Sequence, residues 1–344
     1  MQLRSHLLLL SALVLPAAAG AQSLDLMINN TGLSIGDSRF VRGVRLNFRD
    51  RNLERVVGIN ATIWMPYENA RGGTVKGLAL GLPATGAHRI EGAGIGLFGV
   101  GAEETFTGLG IGGFGVGSGG EVRGVMIGGF GVGSGGSVTG LTIGGFGAGS
   151  GGDVKGITIG GFGAGAGGNV TGIQLGGFGV GSGGNVTGIT IGGFGAGAGG
   201  DVKGLTIGGF GAGAGGDITG ITIGGFGAGA GGTLRGLIVG GFGAGAPTIR
   251  GIVVGGFGAG GHDVEGGVLA PFYFKIESEK DGELGRVKGV SISAFNHIKG
   301  EQFGISIGVL NYAWELHGVQ LGVLNYARNN RKGLRLLPLF NREW

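Results

Sequence analysis

The chain has 344 residues, of which 94 are glycine, 6 are proline and none is cysteine, and its formal net charge is +4. The lack of cysteine excludes disulfide staples and thiolate chemistry, and so small a charge gives no basis for nucleic-acid binding. Glycine without a three-residue period or abundant proline excludes a collagen-like helix, and a 42% hydrophobic share at recurring positions argues against a disordered linker.

Residues 1–21 read as a secretory signal peptide. Arg4 supplies the positive start, Leu7 to Leu15 the short apolar stretch, and Ala19-Gly20-Ala21 the small-residue cleavage site, leaving Gln22 as the new N-terminus. The expected location is therefore outside the cytoplasm, in the periplasm, outer membrane or surface of a bacterium. No later segment offers the run of about 20 mostly apolar residues that a spanning helix needs.

Residues 22–42 read as an N-terminal segment or cap, rich in charge towards its end. Arg39, Arg42, Arg45, Arg49, Arg51 and Arg55 cluster here, with Asp37, Asp50 and Glu54 as partial balance, and the cluster is expected to be a solvated face. Irregular early repeats fill 43–107, led by Gly43, Gly58, Gly77 and Gly92. Trp64 to Arg71 interrupts them as an insertion, an expected cover for a repeat edge.

Residues 108–266 carry the strongest signal, a phrase of sixteen residues that begins at Gly108, Gly124, Gly140, Gly156, Gly172, Gly188, Gly204, Gly220 and Gly236. A fixed short period means one structural unit stacked many times. Numbered from the leading glycine, positions two and four are apolar (Leu141, Ile143), which predicts strand alternation with those two columns buried. Position three (Thr142, Thr158, Gln174) is expected to point outward. Position seven is Phe in every tight copy, and this column is expected inside as an aromatic stack after a bend at the Gly-Gly pair. Position fifteen (Val138, Val154) is apolar again, and the Gly-Gly-polar run before it reads as a turn. If Phe and Ala point inward, the opposite face is bare glycine, suited to self-association against another sheet.

Residues 267–288 read as an inserted hairpin, with Tyr273-Phe274-Lys275-Ile276 as one arm and a turn at Asp281-Gly282. Residues 289–344 form a last group of repeats and a C-terminal cap. Here Asn296, Asn311 and Asn325 stand where position eight would fall. Either a left-handed corner or an outward Asn ladder accounts for them.

The fold class expected is all-β, a repeat β-solenoid with parallel coils of about 16 residues. The alternative is an outer-membrane antiparallel β-barrel with one strand per repeat, and with it a pore. The barrel fits less well, because neither register supplies nine to eleven residues of steady alternation. The late units Gly304-Ile305-Ser306-Ile307-Gly308-Val309-Leu310-Asn311 and Gly318-Val319-Gln320-Leu321-Gly322-Val323-Leu324-Asn325 resemble the G-x-Q-x-G-x-x-N repeats of uncharacterised exported bacterial surface-repeat proteins. The resemblance implies a bacterial envelope location and brings no activity.

The sequence presents no catalytic, cofactor-binding or metal-binding residues to nominate. Asp153, Asp201 and Asp217 follow Gly-Gly but lack the nine-residue calcium-binding period. The five histidines, His6, His88, His262, His297 and His317, form no pair at ligand spacing. The Thr column reads as a β-favouring surface row rather than an ice-binding one. No nucleophile elbow or phosphate loop is present. The function expected is that of a non-enzymatic envelope or surface protein with a structural or interaction role. It needs no cofactor, and its expected partners are further copies, envelope polysaccharide or lipid.

Overall fold

A computed structural model describes residues 23–64, 66, 72–278 and 283–343. The expected signal peptide, most of the expected insertion after Trp64, the expected turn at Asp281-Gly282 and Trp344 lie outside those residues.

The described chain is all-β, and its coils stack in parallel as a β-solenoid. One central coil shows the plan. Val154–Gly160 forms a long strand, Gly161 and Phe162 turn, Gly163–Ala166 forms a short strand, and Gly167 to Asn169 turn back. The long strand pairs in parallel with Val170–Gly176, and the short strand with Gly179–Ser182, each residue beside its counterpart sixteen positions on. Like therefore lies on like, and where the spacing departs from sixteen the glycine column still keeps its register. The parallel register excludes the antiparallel barrel, and the pore built on it goes too.

Eighteen glycines from Gly32 to Gly304 form one continuous column in the long strands, with φ between 106 and 156°. A side chain there is excluded twice, by φ and by contact. A Cβ on Gly172 would lie 2.0 Å from the Gly156 carbonyl oxygen.

The interior differs from the expectation in parity. Val154, Thr158 and Ala164 are buried, whereas Ile157 is exposed and Ile159 half-buried. The columns at positions two and four point outward, and the Thr column points in. The reason is local: the long strand runs unbroken through its leading glycine, so the buried Val at position fifteen fixes the alternation for everything after it. The Phe column also lies outside, with Phe146 50% exposed. Long and short strands converge so closely at this turn that a Cβ on Gly144 would sit 1.9 Å from the Gly147 carbonyl oxygen. A phenyl ring cannot enter such an edge and turns out instead.

The narrow interior is thus lined by Val, Thr, Ala and Ser in the centre, with larger residues at its ends, Phe106 and Met126 on one side and Ile238 and Phe274 on the other. The hydroxyls of Thr142, Thr158, Thr190, Thr206 and Thr222 and both amide atoms of Gln174 are buried without a hydrogen-bond partner among the described residues. An unpaired buried hydroxyl costs about 1–3 kcal/mol. Thr206→Val, nearly the same shape, is accordingly expected to stabilise the rod by about 1 kcal/mol. A rise in the urea midpoint shows it, and a fall shows that the hydroxyl is paired in solution.

Both ends depart from the coil pattern. Leu24–Ile28 and Thr31–Ile35 form an antiparallel hairpin turning at Asn29 and Asn30, whose φ values are 49 and 61°. Thr31–Ile35 then pairs in parallel with the first coil. At the other end Leu336–Arg342 runs antiparallel to Val319–Ala327. Gly333 belongs to the turn before this last strand.

Two further expectations change. Gly266 stacks between Gly251 and Gly289, and Tyr273–Ile276 pairs in parallel with Gly258–Gly261 and with the strand that starts at Phe295. The segment 267–288 is therefore mainly an ordinary coil, and the extra residues fall between Ile276 and Gly285. The Asn column continues the Ala column rather than the glycine at position eight: Asn296 lies beside Phe274, and Phe274 beside Ala259. The late turns are one residue shorter, so Asn296 is four residues past Ile292, whereas Ala259 is five past Val254. The three asparagines point inward and are buried.

Candidate interaction face

The rod carries its chemistry in columns. Its most extended surface feature is the row of phenyl rings from Phe114 to Phe272. Eleven rings stack with centroids 4.9–5.1 Å apart. Interplanar angles stay at 8° or less until the last pair, at 18°. The spacing is that of the strands themselves. The ring faces cover one another and the ring edges meet solvent, each residue 44–59% exposed. On the adjoining outer face of the long strands, Ile111, Ile127, Ile157, Ile191, Ile221 and Ile252 are 36–53% exposed.

Beside these apolar columns runs position sixteen, which includes Lys76, Arg123, Lys155, Lys203, Arg235, Arg250 and Lys288. Acidic neighbours balance much of it. Lys76 pairs with Glu91 at 2.6 Å, Arg123 with Glu121 at 2.8 Å, Arg235 with Asp217 at 3.3 Å and Lys288 with Glu265 at 3.4 Å. The rim is charged but close to neutral.

The outer face of the short strands is bare glycine, as the sequence suggests. A Cβ on Gly117, Gly133, Gly149 or Gly181 would meet nothing within 4 Å. At the turn after this face, residues of position fourteen build a ladder. The backbone N–H of Asn169 donates to Asp153 Oδ1 at 2.7 Å, that of Asn185 to Asn169 Oδ1 at 2.8 Å, and that of Asp201 to Asn185 Oδ1 at 2.7 Å. The same pattern continues through Asp217 to Thr233. Ser137, Asp, Asn and Thr share only a short side chain with an acceptor oxygen, which explains their interchange. For Asp217 that bond, first of all, lowers the carboxyl pKa below its usual value.

Inside the C-terminal coils Asn296 Nδ2 donates to Asn311 Oδ1, and Asn311 Nδ2 to Asn325 Oδ1, both at 2.7 Å. An amide is both donor and acceptor, so one residue per coil sustains the row. At the N-terminal end Arg45 is fully buried. It pairs with Asp50, with Asp37 Oδ1 at 2.6 Å and with Asn60 Oδ1 at 2.8 Å. The arginine cluster is thus not wholly a solvated face.

The histidines are dispersed. His88 pairs with Glu103 and Glu104, and His262 contacts the Glu277 carbonyl. His297 Nδ1 lies 2.9 Å from the Tyr273 hydroxyl, and burial, first of all, lowers its pKa. The folded state therefore disfavours the protonated ring. Its contribution to stability is complete above about pH 6.5 and falls away as the pH drops towards the lowered value. The C-terminal coils are expected to melt earlier at pH 5.5 than at pH 7.5, and His297→Gln to flatten that difference in thermal scans. Glu301, Glu315 and His317 could together hold a divalent cation, since one ligand atom from each falls within 4.8 Å of the others. Sequence spacing hides this group, because the residues come from successive coils. His317 also pairs with Glu343, an arrangement that needs no metal.

The fold and its columns define a glycine-rich β-solenoid with an antiparallel strand at each described end. Known protein families, curated proteins and solved structures offer no match to the chain.

Proposed function

We propose that this chain is an exported, non-enzymatic protein of the bacterial envelope or cell surface, and that its rod serves as an extended interaction surface. The observation that carries the interaction role is the apolar strip of stacked phenyl edges and outward Ile and Leu side chains. Folded monomers rarely leave a contiguous apolar surface larger than a few hundred Å² uncovered unless it meets a partner. Export rests on the N-terminal signal pattern, and the envelope location also on the likeness of the late units to surface-repeat proteins. Partners of matching form are further copies of the chain, through this strip or through the bare glycine face, and envelope polysaccharide or lipid. Sugar rings gain least, because they stack on aromatic faces and here the faces are covered.

Expression from its own start in a Gram-negative host tests the location. A mature chain beginning at Gln22, recovered with the envelope, is the expected result. An uncleaved chain in the cytoplasm contradicts it.

A further inference from the structure

We infer that the phenyl strip is covered by a second copy of this chain, laid side by side along the rod. The inference rests on the reading of that strip as the interaction surface and names its occupant. Four observations on the molecule lead there.

The first is area. Aromatic side chains carry roughly 150–250 Å² each. Eleven rings at 44–59% exposure therefore present on the order of 1,000 Å² before the outward Ile and Leu residues are added. A stable protein–protein interface takes about 800 Å² from each partner.

The second is pitch. The rings repeat at 4.9–5.1 Å with nearly parallel planes. Position seven stays Phe in every tight copy, while the outward position two varies between Leu, Ile and Val. A fluid lipid surface asks only for apolar area and would accept such variation at position seven as well. A partner that registers with every ring must repeat at the same pitch, and a second copy does.

The third is charge. A face that adsorbs to anionic lipid carries an excess of Lys and Arg at its rim, with Trp or Tyr at the boundary. Here Arg123, Arg235 and Arg250 pair with Glu121, Asp217 and Glu265, which leaves Lys155 and Lys203 as a small excess, and the ring row contains neither Trp nor Tyr. A nearly balanced rim suits a partner that is balanced in the same way.

The fourth is direction. The terminal strands Leu24–Ile28 and Leu336–Arg342 run antiparallel to their neighbours, so a copy stacked end to end would not extend the in-register columns of like residues. An end-to-end contact would pair strand edges and leave the phenyl row uncovered, so only a side-by-side contact accounts for the strip.

The test uses the mature chain from residue 22, without detergent, in sedimentation velocity at micromolar concentration. The unmodified protein is expected to sediment as a dimer or larger species. Phe146→Ser, Phe178→Ser and Phe210→Ser combined are expected to shift it to monomer and weaken association at least tenfold. Loss of stacking alone could unfold that variant, so a second one combines Ile157→Thr, Ile191→Thr and Ile221→Thr. These keep β-branched side chains on the outer face and should also weaken association, with an unchanged far-ultraviolet circular dichroism spectrum. Gly149→Ser and Gly181→Ser on the opposite face should leave association intact. Vesicles of neutral phosphatidylcholine and of anionic phosphatidylglycerol form a parallel arm. A monomer that binds vesicles through the same Phe residues overturns the second copy and keeps the interaction strip. A monomer that binds neither overturns both. An oligomer lost only in the glycine-face variants also overturns the inference, because it moves the contact to the other side of the rod.

Discussion

Gly172→Ala is expected to destabilise the rod by about 3 kcal/mol, while Gly149→Ala changes it little or stabilises it by about 0.5–1 kcal/mol. The two substitutions add the same methyl group to the same type of residue. Gly172 has φ +134°, and its new Cβ would lie 2.0 Å from the Gly156 carbonyl oxygen and 2.9 Å from the carbonyl carbon. Neither neighbour is a side chain that can rotate away. Relief requires the two coils to part, which breaks pairing in a column that runs nearly the whole length of the rod. Gly149 has no left-handed φ, and its Cβ would project from the outer face of a short strand with nothing within 4 Å. There the methyl restricts the unfolded chain without straining the folded one. Urea midpoints of the two variants check the contrast. Equal losses would mean that the leading glycines are not stacked as described.

Arg45→Met should cost about 3–5 kcal/mol, and the damage should stay local. The guanidinium lies fully buried between Asp37, Asp50 and Asn60, and Asp50 is itself 1% exposed. Removing the cation leaves carboxylates facing an interior that cannot solvate them. A coil in a solenoid touches mainly the coils above and below, so the disturbance decays along the rod. Hydrogen exchange should show the amides of Phe40–Arg49 and Arg55–Trp64 losing protection while Val170–Gly176 keeps its own. Unchanged protection near Arg45 would show that the ion network contributes little.

Much of this architecture is legible in the chain. The sixteen-residue period, the leading glycine and the turn at Gly-Gly-polar lead to parallel coils and to the in-register stacking of like residues. What hydropathy misreads is which face of each strand points in. Leu141 and Ile143 are more apolar than Thr142, and ordinary reasoning buries them. The decisive residue is Val154, because an unbroken strand from position fifteen carries its parity through the glycine to position three. The Phe column is misplaced for a related reason. Phe is a core residue in most folds, but here the turn leaves no room for a ring, and only the backbone separation at Gly144 and Gly147 shows it. The Asn column is displaced by a deletion of one residue in a turn, which letter spacing alone assigns to the wrong strand position. Arg45 looks like one of six surface arginines until its coil neighbour Asn60 and the loop carboxylates of Asp37 and Asp50 converge on it.

The stacked-coil arrangement is tested most directly by distances along the rod. The chain has no cysteine, so paired spin labels can be introduced at Thr139 with Thr187 and at Thr139 with Thr219. These residues occupy one column, three and five coils apart. With strands about 4.8 Å apart the backbone separations are about 14 and about 24 Å. Pulsed dipolar spectroscopy on a sample diluted with unlabelled chain should report a linear rise of about 4.8 Å per coil. Distances that fail to grow with the number of intervening coils would contradict the solenoid and the continuous outer strip that depends on it.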